Sequence, residues 1–243
     1  MSNLEISVYM LVGLVIGVIF HEFMHGYVAY RFGDTTAKRA GRLTLDPLAH
    51  VDPFGTLLLP GILLLLNLMG INSFIIGYAK PVPINPFAFR RRSGIVWVSL
   101  AGPLTNLAIA SLFVGLAKLT WELGSGEALW LKLTNMFSII MYINVILFVF
   151  NLIPIPPLDG SRILGYFLKG EAKRAYMSVE PYGFIIIIVL LSFFSVVFTT
   201  IATGVANLLM KAVRLPASTP WLSAMRGQVA NLLMKAVRLP VIF

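Results

Sequence analysis

The sequence predicts an all-α polytopic membrane protein. The expected form is a bundle of about four to six transmembrane helices with a re-entrant or β-hairpin-like membrane segment after the first helix. Two observations predict it. Of 243 residues, 58% are hydrophobic and 12% charged, too few charges to cover the surface of a soluble domain; the mean hydropathy is +0.87. In addition, apolar runs long enough to cross a bilayer alternate with short basic clusters. Together these exclude a disordered chain, a disulfide-stapled secreted domain and an ordinary cytosolic enzyme. The absence of cysteine excludes thiolate metal sites, thiol nucleophiles and redox pairs.

The formal charge of +9 is distributed as loops would carry it. Arg31, Lys38, Arg39 and Arg42 form one group, Lys80 and Arg90–Arg92 a second, and Arg162, Lys169, Lys173 and Arg174 a third. Each lies between apolar runs, as the positive-inside rule describes for cytoplasmic loops. Aromatic residues are not interleaved with these charges, so no base-stacking surface is expected and nucleic acid is not a partner. The expected surroundings are a lipid bilayer.

The elements follow in order. Ile6–Tyr30 is apolar and long enough to span; only Glu5 precedes it as a charge and no small-residue cleavage site follows, so it is not a signal peptide. A polar loop covers 31–53. Phe54–Ile76 is apolar but interrupted by Pro60, Gly61, Asn67 and Gly70. In the segment Gly77–Pro86, Pro81, Pro83 and Pro86 forbid a regular helix and favour extended backbone. Gly94–Leu119 reads as a helix containing Pro103, and Leu131–Ile153 as another span, which the run Pro154–Gly160 breaks. Tyr182–Met210 is a long run without charge.

Parity constrains the topology. With Arg31–Arg42 and Arg90–Arg92 both cytoplasmic, Phe54–Ile76 must cross an even number of times, and it is too short for two spans of about 20 residues. A re-entrant hairpin meets that condition, because irregular backbone at membrane depth is tolerated when it is buried in protein or lines a wet cavity; the alternative, one ordinary span, would put Lys80 and Arg90–Arg92 outside. Two domains are expected: 1–203 as the membrane domain, and 204–243 as an amphipathic basic tail. The tail contains an exact duplication, VANLLMKAVRLP at Val205–Pro216 and again at Val229–Pro240. Each copy reads as a short interfacial helix.

The chemistry centres on His21-Glu22-Phe23-Met24-His25. Residues i and i+4 share a helix face, so the two imidazoles can bind one zinc ion, and Glu22 between them has the place of a general base. Ionisable groups inside a bilayer cost about 2.5–3.5 kcal/mol each, so three within five residues point to function rather than packing. A catalytic zinc needs a third protein ligand. Asp46, His50, Asp52 and Asp159 are candidates; Asp159 stands out because it lies at a proline-rich helix break on the same membrane side as His21 and His25.

These residues resemble a known family. HEFMH at the end of a spanning helix, AGPLTN at 101–106 and NLIPIPPLDG at 151–160 are similar to the site-2 protease family of intramembrane zinc metalloproteases. GRLTLDPLAHVDPFGT and GYAKPVPINP resemble its minimal prokaryotic branch, which has no PDZ or CBS domain. The resemblance covers roughly residues 6–200. It implies a zinc metalloendopeptidase of HExxH type with one Zn2+ per chain held by His21, His25 and Asp159, and Glu22 as the base. It further implies that Asn151 and Asn106 hold the substrate or its oxyanion, and that the partner is a transmembrane protein cleaved within or near its membrane segment. The implied location is a prokaryotic cell membrane with the active site near the cytoplasmic side. An extended substrate could add as a strand along residues 54–85, where Gly55, Pro60, Gly61, Pro81 and Pro83 suit a non-helical element. The alternative is a metal-handling or transporter-like membrane protein, since transporters also use broken helices and ionisable groups near the midplane.

Overall fold

A computed structural model describes residues 3–50, 52, 58, 62, 80–124 and 127–215. Every regular element among the described residues is helical. The long helices are α1 (Asn3–Arg31), α3 (Gly94–Leu123), α4 (Ala128–Asn151) and α7 (Gly183–Ala212); short ones are α2 (Thr36–Arg39), α5 (Asp159–Phe167) and α6 (Gly170–Met177). Among the described residues, Glu5–Arg31, Gly94–Leu123 and Ala128–Asn151 are long and apolar enough to cross a membrane. These are three of the expected four to six. The expected re-entrant segment Phe54–Ile76 lies almost wholly outside the described residues, as does the second tail copy, Val229–Pro240.

Each long helix has a physical origin in the sequence. α1 is apolar nearly all round, with Glu5 in its first turn and Arg31 in its last, the signs the helix dipole favours at each end. At 29 residues it rises about 44 Å, more than the hydrocarbon core of a bilayer. Leu11, Leu112, Leu131 and Val196 are exposed on the outside of the bundle, the surface a lipid-facing protein presents. α7 departs from helical geometry at Phe194, with φ −114° and ψ 17°.

The helices alternate in direction. Lys132 Nζ reaches Glu5 Oε1 at 3.3 Å, which places the starts of α4 and α1 at one end of the bundle. Lys118 Nζ donates to the Arg214 carbonyl at 3.3 Å, bringing the ends of α3 and α7 to that same end. The ends of α1 and α4 and the starts of α3 and α7 therefore meet at the other end, and α1 and α4 run parallel as the parity argument requires. The core lies between α3, α4 and α7, where Ala110, Val114, Ala117, Tyr142, Ala202 and Met210 pack together.

The first tail copy differs from expectation. Val205–Ala212 are not a separate interfacial helix but the last two turns of α7. Ala206, Met210 and Leu215 bury in the core against α3 and α4, and that burial overrides the amphipathic pattern read from the sequence alone.

Candidate metal centre

The end of the bundle where α1 and α4 finish carries the ionisable residues singled out in the sequence. His21 and His25 lie one turn apart on α1, both buried. Pro154–Gly160 breaks the chain after α4, and Asp159 becomes the first residue of α5, where a helix N-terminus favours a carboxylate. Tyr176 on α6 donates to the Pro154 carbonyl at 2.8 Å and ties that break in place. The result is a triangle: His21 Nε2 to His25 Nε2 is 2.9 Å, and each is 3.1 Å from Asp159 Oδ2. Three residues that are 134 or more positions apart at the extremes thus place one ligand atom each within a single cluster.

Hydrogen bonding fixes which nitrogen of each ring faces the cluster. Asn106 Nδ2 donates to the Gly17 carbonyl at 3.1 Å; a carbonyl only accepts, so the amide nitrogen must face it. Asn106 Oδ1 is then left facing His21 Nδ1 at 2.6 Å, and His21 Nδ1 carries the proton. His25 Nδ1 likewise donates to the Val98 carbonyl at 2.6 Å. With both Nδ1 protons committed, the rings in the neutral form that ligates a metal turn their Nε2 lone pairs toward each other and toward a carboxylate oxygen. Three acceptors at 2.9–3.1 Å with no proton among them repel unless a cation joins them. Tetrahedral ligands about 2.0–2.2 Å from zinc stand about 3.3–3.5 Å apart, close to these edges. The donor set, its size and the partners behind each imidazole fit zinc.

Gly102 on α3 makes room for this cluster. A Cβ there would run into His25 Nε2 and lie 2.6 Å from His21 Nε2. The Gly-Pro of AGPLTN therefore brings the α3 backbone against the imidazoles, and its Asn, one helical turn later, reaches His21.

The remaining expected residues fall in several places. Glu22 is half-buried, and its Oε2 accepts a hydrogen bond from the Val82 backbone N–H at 2.9 Å. Asn106 is fully buried, and its amide is engaged by His21, Gly17 and Asn144, because burial forces each of its polar atoms to find a partner. Asn151 donates to the Leu147 carbonyl at 3.0 Å, one turn back in α4. His50 is buried away from the triangle with Nε2 on the Thr44 carbonyl at 2.9 Å, and the Asp46 carboxylate accepts from the Leu48 N–H. Among the described residues, only His21, His25 and Asp159 form a group able to hold a metal. Pro81 and Pro83 lie in an irregular segment beside Glu22, while Gly55, Pro60 and Gly61 are outside the described residues.

Sequence reasoning missed four contributors. Asn144 is fully buried on α4; it accepts from Asn106 and donates to the Ile140 carbonyl at 2.9 Å. Its signal was present, since an amide in the middle of an apolar span is costly unless it is paired. The Val98 carbonyl and the Val82 N–H are backbone groups and leave no signal in a side-chain pattern. Gly102 is one glycine among 20.

Comparison with known proteins agrees with this geometry. Residues 117–196 match the profile described as Peptidase family M50, a stretch that holds Asp159 but not the α1 histidines. The chain is 40% identical over 192 residues to "Putative zinc metalloprotease YwhC" of Bacillus subtilis, covering 77% of this chain and 81% of that protein. It is 32% identical over 191 residues to "Putative zinc metalloprotease Rip2" of Mycolicibacterium smegmatis, covering 79% and 69% respectively. No solved structure matches the chain significantly. These matches, at 77% and 79% of the chain, are longer than the profile's stretch, and together with the apolar helices they support a membrane metalloprotease. The chain belongs to peptidase family M50, the site-2 protease family.

Proposed function

We propose that the protein is a zinc-dependent intramembrane endopeptidase that hydrolyses peptide bonds within or near transmembrane segments of membrane-protein substrates. The observation that carries this reading is the triangle of His21 Nε2, His25 Nε2 and the Asp159 carboxylate at the end of the bundle where two membrane-spanning helices finish. In it, His21, His25 and Asp159 hold one zinc ion. Zinc, when bound, supplies a Lewis acid for the scissile carbonyl and lowers the pKa of water toward neutrality. Glu22 takes the proton of the attacking water and passes it to the leaving amine. Asn106 holds the His21 ring in the ligating tautomer. Asn151 keeps one N–H beyond its bond to Leu147, since an amide has two, and that N–H is available to the substrate carbonyl.

Location follows from charge. Arg31, Lys38, Arg39, Arg90–Arg92, Lys169 and Lys173 lie at the end of the bundle that carries the triangle, which supports a cytoplasmic orientation of that end in a prokaryotic cell membrane. α7 then serves as a fourth crossing, whose last two turns take up the start of the expected tail 204–243. A substrate helix must unwind to expose its carbonyls, because each is bonded one turn ahead along the chain. Pro81 and Pro83 have no N–H to give, so along these two residues an incoming strand finds only carbonyl acceptors.

The test is cleavage of a transmembrane substrate by the purified full chain in liposomes. Glu22→Gln is expected to keep its zinc and to lose activity by at least about a hundredfold. Full activity in that variant would remove the mechanism. Zinc flux into the liposomes without cleavage would favour the transporter reading instead.

A further inference from the structure

We propose that the backbone N–H of Val82 is a positioning group for Glu22, delivered by the irregular segment Lys80–Asn85. The inference rests on the reading of Glu22 as the base and adds what holds that base. Four polar contacts tie the segment down. Lys80 N–H donates to the His50 carbonyl at 3.0 Å, and Arg42 Nη2 donates to the Lys80 carbonyl at 2.6 Å. Val82 N–H donates to Glu22 Oε2 at 2.9 Å, and Asn85 N–H donates to Asp34 Oδ2 at 2.6 Å. Of these, the Val82 contact alone reaches the helix that carries HEFMH.

The placement of Val82 is specific. Glu22 and Gly26 are four residues apart and share a face of α1. Val82 lies over that face with its N–H on Glu22 and its buried side chain on Gly26, where an added Cβ would stand 3.1 Å from Val82 Cγ1. Its neighbours are prolines, so Val82 is the single residue of the Pro81–Pro83 run with an N–H to donate. The bond occupies Oε2 of Glu22. A carboxylate has a second oxygen, so the base keeps one acceptor for a proton while the other fixes its orientation. An ordered base is worth more than a mobile one, because a proton acceptor must lie within hydrogen-bond reach of the proton it takes.

The experiment is substitution of one N–H. Val82→Pro removes the donor at a position already flanked by prolines, where extended backbone suits the new ring; Val82→Ala keeps the donor and removes side-chain packing. Both are measured as zinc-loaded full-length protein on a transmembrane substrate, beside Glu22→Gln. The expected result is that Val82→Pro lowers kcat about tenfold to a hundredfold, with KM within about twofold and zinc stoichiometry unchanged, while Val82→Ala, which keeps the donor and loses the packing on Gly26, falls by a smaller factor than Val82→Pro. Hydrogen exchange of the unsubstituted chain and of Glu22→Ala gives an independent readout: the Val82 amide should lose protection in Glu22→Ala while the Asn85 amide keeps it. The inference is overturned by parental kcat in Val82→Pro, by a rise in KM alone, or by a Val82 amide that exchanges equally with and without the Glu22 carboxylate. An active Glu22→Gln would remove the base itself. An inactive Glu22→Gln beside a fully active Val82→Pro would remove only the role of Val82.

Discussion

His21 and Glu22 are neighbours in one helix, yet different kinds of structure hold them. Behind His21 stands a buried chain of amides: Asn106 on α3, then Asn144 on α4, whose side chains bond the Gly17, Gly13 and Ile140 carbonyls. Every member lies on a packed helix. Behind Glu22 stands one backbone N–H on a segment with no regular structure, itself held at its ends by Arg42 and Asp34. His21 is thus oriented by helix packing, and Glu22 by polar anchors in a loop. Turnover should therefore fail with metal still bound when the support of Glu22 is removed, and both should fail when the metal site is broken.

The sharpest way to break this division is at Asp159. Asp159→Ala is expected to lose zinc and, with it, cleavage by at least about a thousandfold, whereas Glu22→Gln loses cleavage and keeps zinc. Metal analysis of both purified variants reads the difference, and full zinc in Asp159→Ala would show that the triangle is not the metal centre. A smaller effect is expected one step back. Asn106→Leu removes the acceptor that fixes the His21 tautomer and should weaken zinc binding about tenfold to a hundredfold in chelator competition. If affinity is unchanged, the amide chain is packing alone.

The smallest effect concerns the loop. Burial raises the pKa of Asp34, but the Thr36 hydroxyl and the N–H groups of Asn85 and Thr36 outweigh it and hold the carboxyl below its usual value. A carboxyl lowered in the folded state stabilises the fold above the unfolded pKa of about 4, and that contribution is lost as pH falls through the folded value. In metal-free protein, melting temperature should fall below about pH 4, and Asp34→Asn should flatten that limb. Superimposable acid curves for the two chains would show that the Asp34–Asn85 anchor adds no stability.

These contrasts mark what could be read in advance. The spacing of His21, Glu22 and His25 was legible because an α-helix repeats every 3.6 residues, so proximity on one face is local arithmetic. Asp159 was legible only as the best of several acids, from helix parity and motif resemblance. For Asn106, expected to hold the substrate or its oxyanion, the structure adds partners the sequence did not display: α1 and α3 approach so closely that its amide meets His21 and the Gly17 carbonyl. The copy at Val205–Pro216 reads in sequence as a short interfacial helix, whereas its Val205–Ala212 continue α7, because their hydrophobic side has a partner in α3 and α4 that a single sequence does not display.

By itself, then, the sequence determined a membrane bundle, its alternation of spans and basic loops, and the two-histidine face of α1, since hydropathy and helical period are properties of neighbouring residues. Only the tertiary structure decided which acid completes the triangle, which imidazole nitrogen faces it, why α3 needs Gly102, and that Val82 touches Glu22 across 60 residues of chain. Each of those depends on backbone groups and side chains brought together from different helices and loops, and no local pattern encodes such a meeting.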